Sequence, residues 1–184
     1  MEIELVLNDG RLWSIRYEEE SDNAINLLFA QWNDPAWLKA FFEANIDDLQ
    51  SYFKITDVNK AIYDTLDDSD KLQCLIMDIS PDATLDTIFR PLENSRMHEI
   101  LLGREKAKLT HRATHASWLR IYAIKLEPGI YIVTGGAIKL TATMQEREHT
   151  LQELSKMERV RNFLLSENIN DAEGLADYLD SKDN

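Results

Sequence analysis

The sequence has few of the residues that mark secreted or membrane proteins. It contains one cysteine, Cys74, which excludes an intrachain disulfide framework. Cys74 falls in an apolar helical segment and is predicted to be a buried thiol. No apolar run approaches the ~20 residues that a membrane-spanning helix needs. The N-terminus, Met1-Glu2-Ile3-Glu4, lacks the basic and apolar regions of a signal peptide, so we expect a cytoplasmic protein outside the membrane.

Several common catalytic motifs are also missing from the sequence. It has no Walker-type phosphate loop, no nucleophile elbow, no zinc-protease histidine pattern and no paired-cysteine metal site. His111 and His115 are four residues apart and would share one face of a helix, but no third ligand is evident. We therefore expect no metal and no cofactor. A metal-assisted enzyme that uses these two histidines stays an alternative that a metal-content assay would test.

Charge is unevenly distributed along the chain, whose net charge is −13. Residues 1–80 contain 6 basic and 17 acidic residues, residues 81–160 contain 12 and 10, and residues 161–184 contain 2 and 6. Within the middle region only Glu105 opposes a run of basic residues, namely Arg104, Lys106, Lys108, Arg112 and Arg120. The pattern indicates either a local basic site on an acidic body or a solvated basic loop.

Hydrophobic periodicity predicts an α+β fold, with a small antiparallel sheet packed against helices. The first seventeen residues alternate as a β-hairpin about a two-residue turn at Asp9-Gly10. Acidic helices follow, with N-caps expected at Asp34 (before Pro35), Thr56 and Ser69. Residues 87–92 are predicted to form an edge strand because Pro91 would disrupt a central one. Residues 94–116 are predicted to hold a helix ended at Gly103 and then an extended basic loop.

Residues 117–165 form a predicted strand–turn–strand–helix unit that carries most candidates for chemistry. Period-two alternation places Arg120 and Tyr122 on one face of the first strand, and Lys139 on a matching face of the second. The Thr134-Gly135-Gly136 run predicts a β-bulge, with a nucleotide-phosphate loop as the alternative. A capping box at 143–146 is expected to open the long helix.

Arg120, Lys139 and Arg147, with Tyr122 and one of the two histidines, form the one convergent set that the residues suggest. Two cations on adjacent strands can clamp a phosphodiester and stabilise charge that develops at phosphorus. A tyrosine or histidine can assist proton transfer or stack on a base. The alternative is that Arg120 and Lys139 make cross-strand surface pairs with acidic neighbours.

The order of these motifs resembles the C-terminal half of RelE/HigB-type toxins, in particular their phage-related branch. The resemblance covers roughly residues 85 to 165. It rests on Trp118-Leu119-Arg120-Ile121-Tyr122, a turn, a strand that continues through Gly136-Ala137-Ile138-Lys139-Leu140-Thr141, and a long helix. It implies a single domain in which residues 85–165 are the toxin-like sheet and helix. Residues 1–84 are then an acidic hairpin-plus-helices elaboration, and residues 166–184 a short helix and tail.

The resemblance also implies a function: a ribosome-dependent endoribonuclease that cuts mRNA and is neutralised by a cognate antitoxin, here expected to be a small helix-turn-helix protein. The catalytic positions that it implies are Arg120, Lys139 and Tyr122. The RNA-binding positions are Arg147, Arg112, Lys108 and His115. Family members lack the acidic N-terminal half, which could shield the active face, mimic an antitoxin or dock another partner. The alternative function is a non-catalytic, protein-binding relative of the same fold.

Overall fold

A computed structural model describes residues 1–92, 101–110 and 115–182, and it confirms an α+β fold with an N-terminal β-hairpin. One sheet contains all the strands of this part of the chain, in the order β1-β2-β6-β5-β4-β3. Their bounds are β1 Glu2–Leu5, β2 Leu12–Arg16, β3 Phe89–Pro91, β4 Gly103–Ala107, β5 Leu119–Glu127 and β6 Ile130–Ile138. The sheet is mixed, because β2 runs parallel to β6 while every other neighbouring pair is antiparallel.

The hairpin turn is longer than the two-residue turn that the sequence predicted. β1 ends at Leu5, and the amides of Val6 and Leu7 both donate to the carbonyl of Leu12. Gly10 takes the positive φ, at 81°, and the side chain of Asp9 accepts from the Arg11 amide. β2 pairs with β1 on one side and with β6 on the other, so the hairpin extends the main sheet.

Four helices pack on one face of the sheet: α1 Ala24–Trp32, α2 Pro35–Ala44, α3 Ile46–Phe53 and α4 Val58–Met77. The Asp34 cap is confirmed, since its side chain accepts from the amides of Ala36 and Trp37. Thr56 is not the cap of α4; Asp57 is. Ser69 caps nothing, because α4 continues through it and buries it against Asn33.

Cys74 lies on the solvent side of α4 and is exposed, so the prediction of a buried thiol was wrong. The buried stripe of α4 consists of Ala61, Thr65, Asp68, Ser69, Leu72 and Ile76. Half of this stripe is polar, so hydrophobic periodicity alone could not identify the buried face of α4. Among the described helices, none is both long enough and apolar enough for a membrane crossing.

The opposite face of the sheet is also largely covered, by α5 Glu148–Ser166 and α6 Ala172–Lys182. A second core forms there around Tyr122, Ile124, Met157, Val160 and Leu164. The face of β5 that carries Arg120 and Tyr122, from which a ligand site was predicted, is therefore covered by helices over most of its length. Among the described residues, no helix covers the end that carries Arg120 and Lys139, and a cleft opens there.

β3 is the edge strand, as predicted, but the basic segment beside it is not a loop. Residues 103–107 form β4, which lies between β3 and β5. Arg104 pairs with Ile124 and Lys106 with Tyr122, so both basic residues lie on the face of Arg120 and Tyr122. The predicted helix around residues 97–102 falls mostly outside the described residues.

The predicted bulge in β6 is confirmed. The pairing with β5 shifts register between Tyr122, opposite Gly135, and Ala123, opposite Val133, which leaves Thr134 as the extra residue. A Cβ atom on Gly136 would overlap Leu28 and would lie 2.5 Å from the carbonyl oxygen of Arg120. Glycine is needed here because α1 approaches the strand closely.

Candidate functional site: a basic cleft at the end of the sheet

A cleft of about 450 Å³ opens at the uncovered end of the second face. Five cationic side chains from β4, β5 and the segments that follow β4 and β6 line it, together with Tyr122: Arg104, Lys106, Lys108, Arg120 and Lys139. The chain from Ala142 to Gln145 forms one wall, and Leu92 and Leu154 contribute apolar surface. We call this feature the basic cleft.

The strand register explains why these residues converge. Arg120 lies opposite Ala137 on β6, and Tyr122 lies opposite Lys106 on β4. Side chains two residues apart on a strand share a face, so Lys139 continues the face of Ala137. The Lys139 amide still bonds to the carbonyl of Trp118 at 2.8 Å, which holds the lysine beside Arg120 beyond the end of β6.

The hydrogen bonds of Arg120 and Lys139 go to the main chain. Arg120 donates to the carbonyls of Ser117 and Leu119, both at 2.8 Å. Lys139 donates to the carbonyls of Thr141 and Ala142, at 2.7 and 2.5 Å. Within the described part of the chain neither residue forms an ion pair, so the cross-strand surface pairs considered above are not what holds them. Their carbonyl partners carry no formal charge and therefore do not neutralise either cation.

The cations of the cleft also perturb one another. Burial, followed by the charges of Arg120 and Lys108, lowers the pKa of Lys106. Burial, followed by the charges of Arg120 and Lys106, lowers the pKa of Lys139. Burial lowers the pKa of Arg120 too. Desolvated like charges at close range disfavour each other, and an anion placed among them would relieve that cost.

Tyr122 lies at the floor of the basic cleft and is fully buried. Its hydroxyl oxygen has no hydrogen-bond partner within the described residues. Burial raises the pKa of Tyr122, and the charge of Arg120 opposes this only in part. The phenol therefore stays protonated at physiological pH and can act as a donor rather than as a phenolate.

The predicted RNA-binding residues do not all lie in the basic cleft. Lys108 lines the basic cleft, but Arg147 lies outside it, where Nε and Nη2 donate to the two carboxylate oxygens of Asp48 at 2.6 and 2.5 Å. His115 lies against the first face, where its ring stacks on Trp118 at 4.6 Å between centroids and its Nε2 is 3.8 Å from Asp64 and Asp68. Arg112 and His111 lie outside the described residues.

Arg104 and Lys106 are cleft residues that the sequence analysis did not select. They were noted as part of a basic run, but the run was assigned to a loop. The signal was present in the two-residue spacing of Arg104, Lys106 and Lys108, which places all three on one face of a strand. In the part of the chain that the structure describes, no three His, Cys, Asp or Glu residues are arranged to hold a metal ion.

The acidic N-terminal half braces the cleft wall instead of covering it. α3 holds Arg147 through Asp48, and the Tyr52 hydroxyl donates to Glu146 at 3.0 Å. Glu146 in turn accepts from the Thr143 amide at 2.5 Å, within the predicted capping box. This box caps a 3₁₀ turn at Met144–Glu146, and α5 begins two residues later.

We predict that Asp48→Asn weakens the binding of a short single-stranded RNA to the basic cleft about threefold, because α3 no longer fixes the wall. Asp47→Asn is the matched control, since Asp47 is the exposed neighbour on the same helix. Removing a negative charge by itself should strengthen RNA binding slightly. Equal effects of the two variants, measured by fluorescence anisotropy, would contradict a positioning role for Asp48.

Comparisons with known proteins add no constraint to this geometry. No protein-family model, curated protein or solved structure matched the chain. What the site can do must therefore be inferred from its own chemistry.

Proposed function

We propose that this protein is a RelE/HigB-like toxin, an endoribonuclease that binds the phosphodiester backbone of mRNA in the basic cleft. The observation that supports the proposal is the convergence of five cationic side chains and Tyr122 on one surface. Arginine and lysine at strand ends suit phosphate oxygens, and Arg120 is held rigidly by two carbonyls. The partners are mRNA on the ribosome, in the cytoplasm, and a small helix-turn-helix antitoxin.

The proposed chemistry needs no group beyond the cleft and the RNA itself. The 2′-hydroxyl attacks the adjacent phosphorus, the new O2′–P bond forms, and the P–O5′ bond breaks. Arg120 and Lys139 stabilise the negative charge that develops on the phosphoryl oxygens. Lys106, whose pKa is lowered, can accept the 2′ proton when it is neutral. The Lys106 ammonium formed in this way returns the proton to the departing O5′, and the Tyr122 hydroxyl donates a hydrogen bond to the phosphorane.

A second candidate is a non-catalytic relative that binds a protein through the same cleft. The net charge of −13 favours it, because an acidic body is repelled by ribosomal RNA at long range. In this case the basic cleft would receive an acidic segment of the partner. A helix-turn-helix protein encoded in the adjacent reading frame would favour the toxin over this candidate.

Controlled expression of the wild type beside Arg120→Ala is the test that separates the two candidates. We predict that the wild type arrests growth and degrades bulk mRNA, and that the variant loses at least about 100-fold in cleavage rate. Lys39→Ala, an exposed change on α2, should remain toxic. Arg120→Lys keeps the charge at this partly buried position and controls for misfolding of the alanine variant. Harmless expression of a folded wild type, with intact mRNA, would support the protein-binding candidate.

A further inference from the structure

A second cleft, of about 510 Å³, lies on the other flank of β6, between α1, the start of α2 and α5. It opens where β6 extends past its parallel pairing with β2, which ends at Val133. Its charged and aromatic lining consists of Tyr17, Glu20, Asp34, Trp37, Glu153 and Lys156. We call it the Glu153 cleft; the basic cleft and the proposed function do not depend on it.

Glu153 is the unusual residue of this cleft. Its side chain is 8 % exposed, and its Oε1 accepts from the Lys156 ammonium at 2.8 Å. Its Oε2 is buried and forms no well-aligned hydrogen bond in the described residues. Burial raises the pKa of Glu153, while Lys156 and the nearby Gly136 amide oppose that rise. A buried carboxylate oxygen without a well-aligned hydrogen bond is costly, so it is a candidate for a ligand contact.

The bulge makes room for this carboxylate. A Cβ atom at Gly135 would overlap Glu153 Oε2, so any larger residue here would displace the carboxylate from its place against β6. The two glycines therefore allow two close contacts: Gly136 with Leu28 of α1, and Gly135 with Glu153 of α5. Only the first of these is needed for packing of the apolar core.

The surroundings favour a cation over an anion. Glu20 and Asp34 are exposed at the mouth, and together with Glu153 they outnumber Lys156, which is the one cation among the described residues that line the cleft. Arg159 is close by, over the ring of Tyr17. The partly buried ring of Trp37 offers a flat face, on which a delocalised planar cation is well placed.

We propose that the Glu153 cleft binds a guanidinium group on a short apolar stem, with the Glu153 carboxylate as its acceptor and Trp37 as its stacking surface. The same chemistry is offered by a small alkylguanidine and by an arginine side chain of a partner protein. The planar N–H fork suits a carboxylate, and the apolar stem suits the flanking Leu27 and Leu28.

The test is a titration of the full chain with n-butylguanidinium, followed by two-dimensional amide NMR. We expect saturable shifts at the amides of Gly135 and Gly136 and at the indole of Trp37, with a Kd of order 1 mM. n-Butylurea has nearly the same shape without charge and should give no saturable shift. This comparison uses only the wild type, so it does not depend on the folding of any variant.

Glu153→Gln should weaken n-butylguanidinium binding about tenfold or more, and Glu158→Gln should leave it unchanged. Both variants lose one negative charge from α5, so a general electrostatic attraction would affect them equally and would overturn the proposal. So would equal responses to butylguanidinium and butylurea. If the site is confirmed, a comparison of two further ligands separates the two sources. Tighter binding of agmatine would indicate a free small molecule, and tighter binding of an acetylated Gly-Arg-Gly amide would indicate an arginine of a partner protein.

Discussion

The affinity of the protein for single-stranded RNA falls about 100-fold when Lys106, Lys108 and Lys139 are replaced together by glutamine. Each lysine that contacts a phosphate releases about 0.7 of a counterion, so the slope of log K against log salt should become shallower by about 2. Fluorescence anisotropy of a labelled oligonucleotide over a salt series measures both quantities. The effect is large because the three ammonium groups converge on one cleft.

The chain offers a matched control for this triple variant. Lys39, Lys60 and Lys71 lie on α2 and α4, and each is paired with a carboxylate four residues away. Their replacement by glutamine changes the net charge by the same amount but leaves the basic cleft intact. We expect RNA affinity to change less than about threefold. Equal losses in the two triple variants would mean that RNA responds to overall charge and not to the cleft.

The lowered pKa values of Lys106 and Lys139 predict how the stability of the protein depends on pH. The folded state releases these protons at a lower pH than the unfolded chain, whose lysines titrate near 10.5. The stability of the free protein therefore rises with pH across the interval that ends near 10.5. Below that interval the mutual repulsion is fully present. Bound RNA removes the repulsion, so it should stabilise the wild type more at pH 7 than at pH 10, and the cleft variant little at either.

The sequence could predict local features whose signal is contained in a few neighbouring residues. Asp34 and Pro35 start a helix because a capping side chain and a proline act within one turn. Arg120, Tyr122 and Lys139 share a cleft because strand alternation is itself local. The bulge at Thr134 follows from two adjacent glycines. In each case the determinant is steric or a short-range hydrogen bond.

Strand pairings and ion pairs between residues far apart in the chain could not be predicted from the sequence. The parallel contact of β2 with β6 joins residues that are more than a hundred positions apart, and nothing in either strand specifies its neighbour. Arg147 was predicted to bind RNA, and its ion pair with Asp48 could not be foreseen because the two residues are 99 positions apart. β4 was missed because Gly103–Ala107 has no large apolar residue, although Gly103, Glu105 and Ala107 are all buried. Burial that depends on tertiary context leaves no hydrophobic signature.

Tyr122→Phe should separate stability from activity more sharply than any other single substitution in this protein. The hydroxyl is buried without a partner among the described residues, so its removal should raise the free energy of unfolding by about 1 kcal/mol. Removal of the proposed donor should nevertheless slow RNA cleavage about 10- to 100-fold. Urea unfolding and single-turnover cleavage measure the two effects on the same preparation.

Tyr131→Phe is the matched control for this prediction. Tyr131 is equally buried and also lies in the sheet, but its hydroxyl donates to Asp86 at 2.5 Å on the other face. Its removal should lower the free energy of unfolding by about 2 kcal/mol, the range for a hydrogen bond to a charged group, and leave cleavage unchanged. If Tyr122→Phe behaves like this control, the Tyr122 hydroxyl has a structural role. If Tyr122→Phe is stabilised and cleaves normally, the chemistry rests on the cations of the basic cleft alone. We expect Tyr122→Phe to be more stable than the wild type and to cleave RNA more slowly. That result would mean that the buried hydroxyl lowers the stability of the fold but contributes to the reaction.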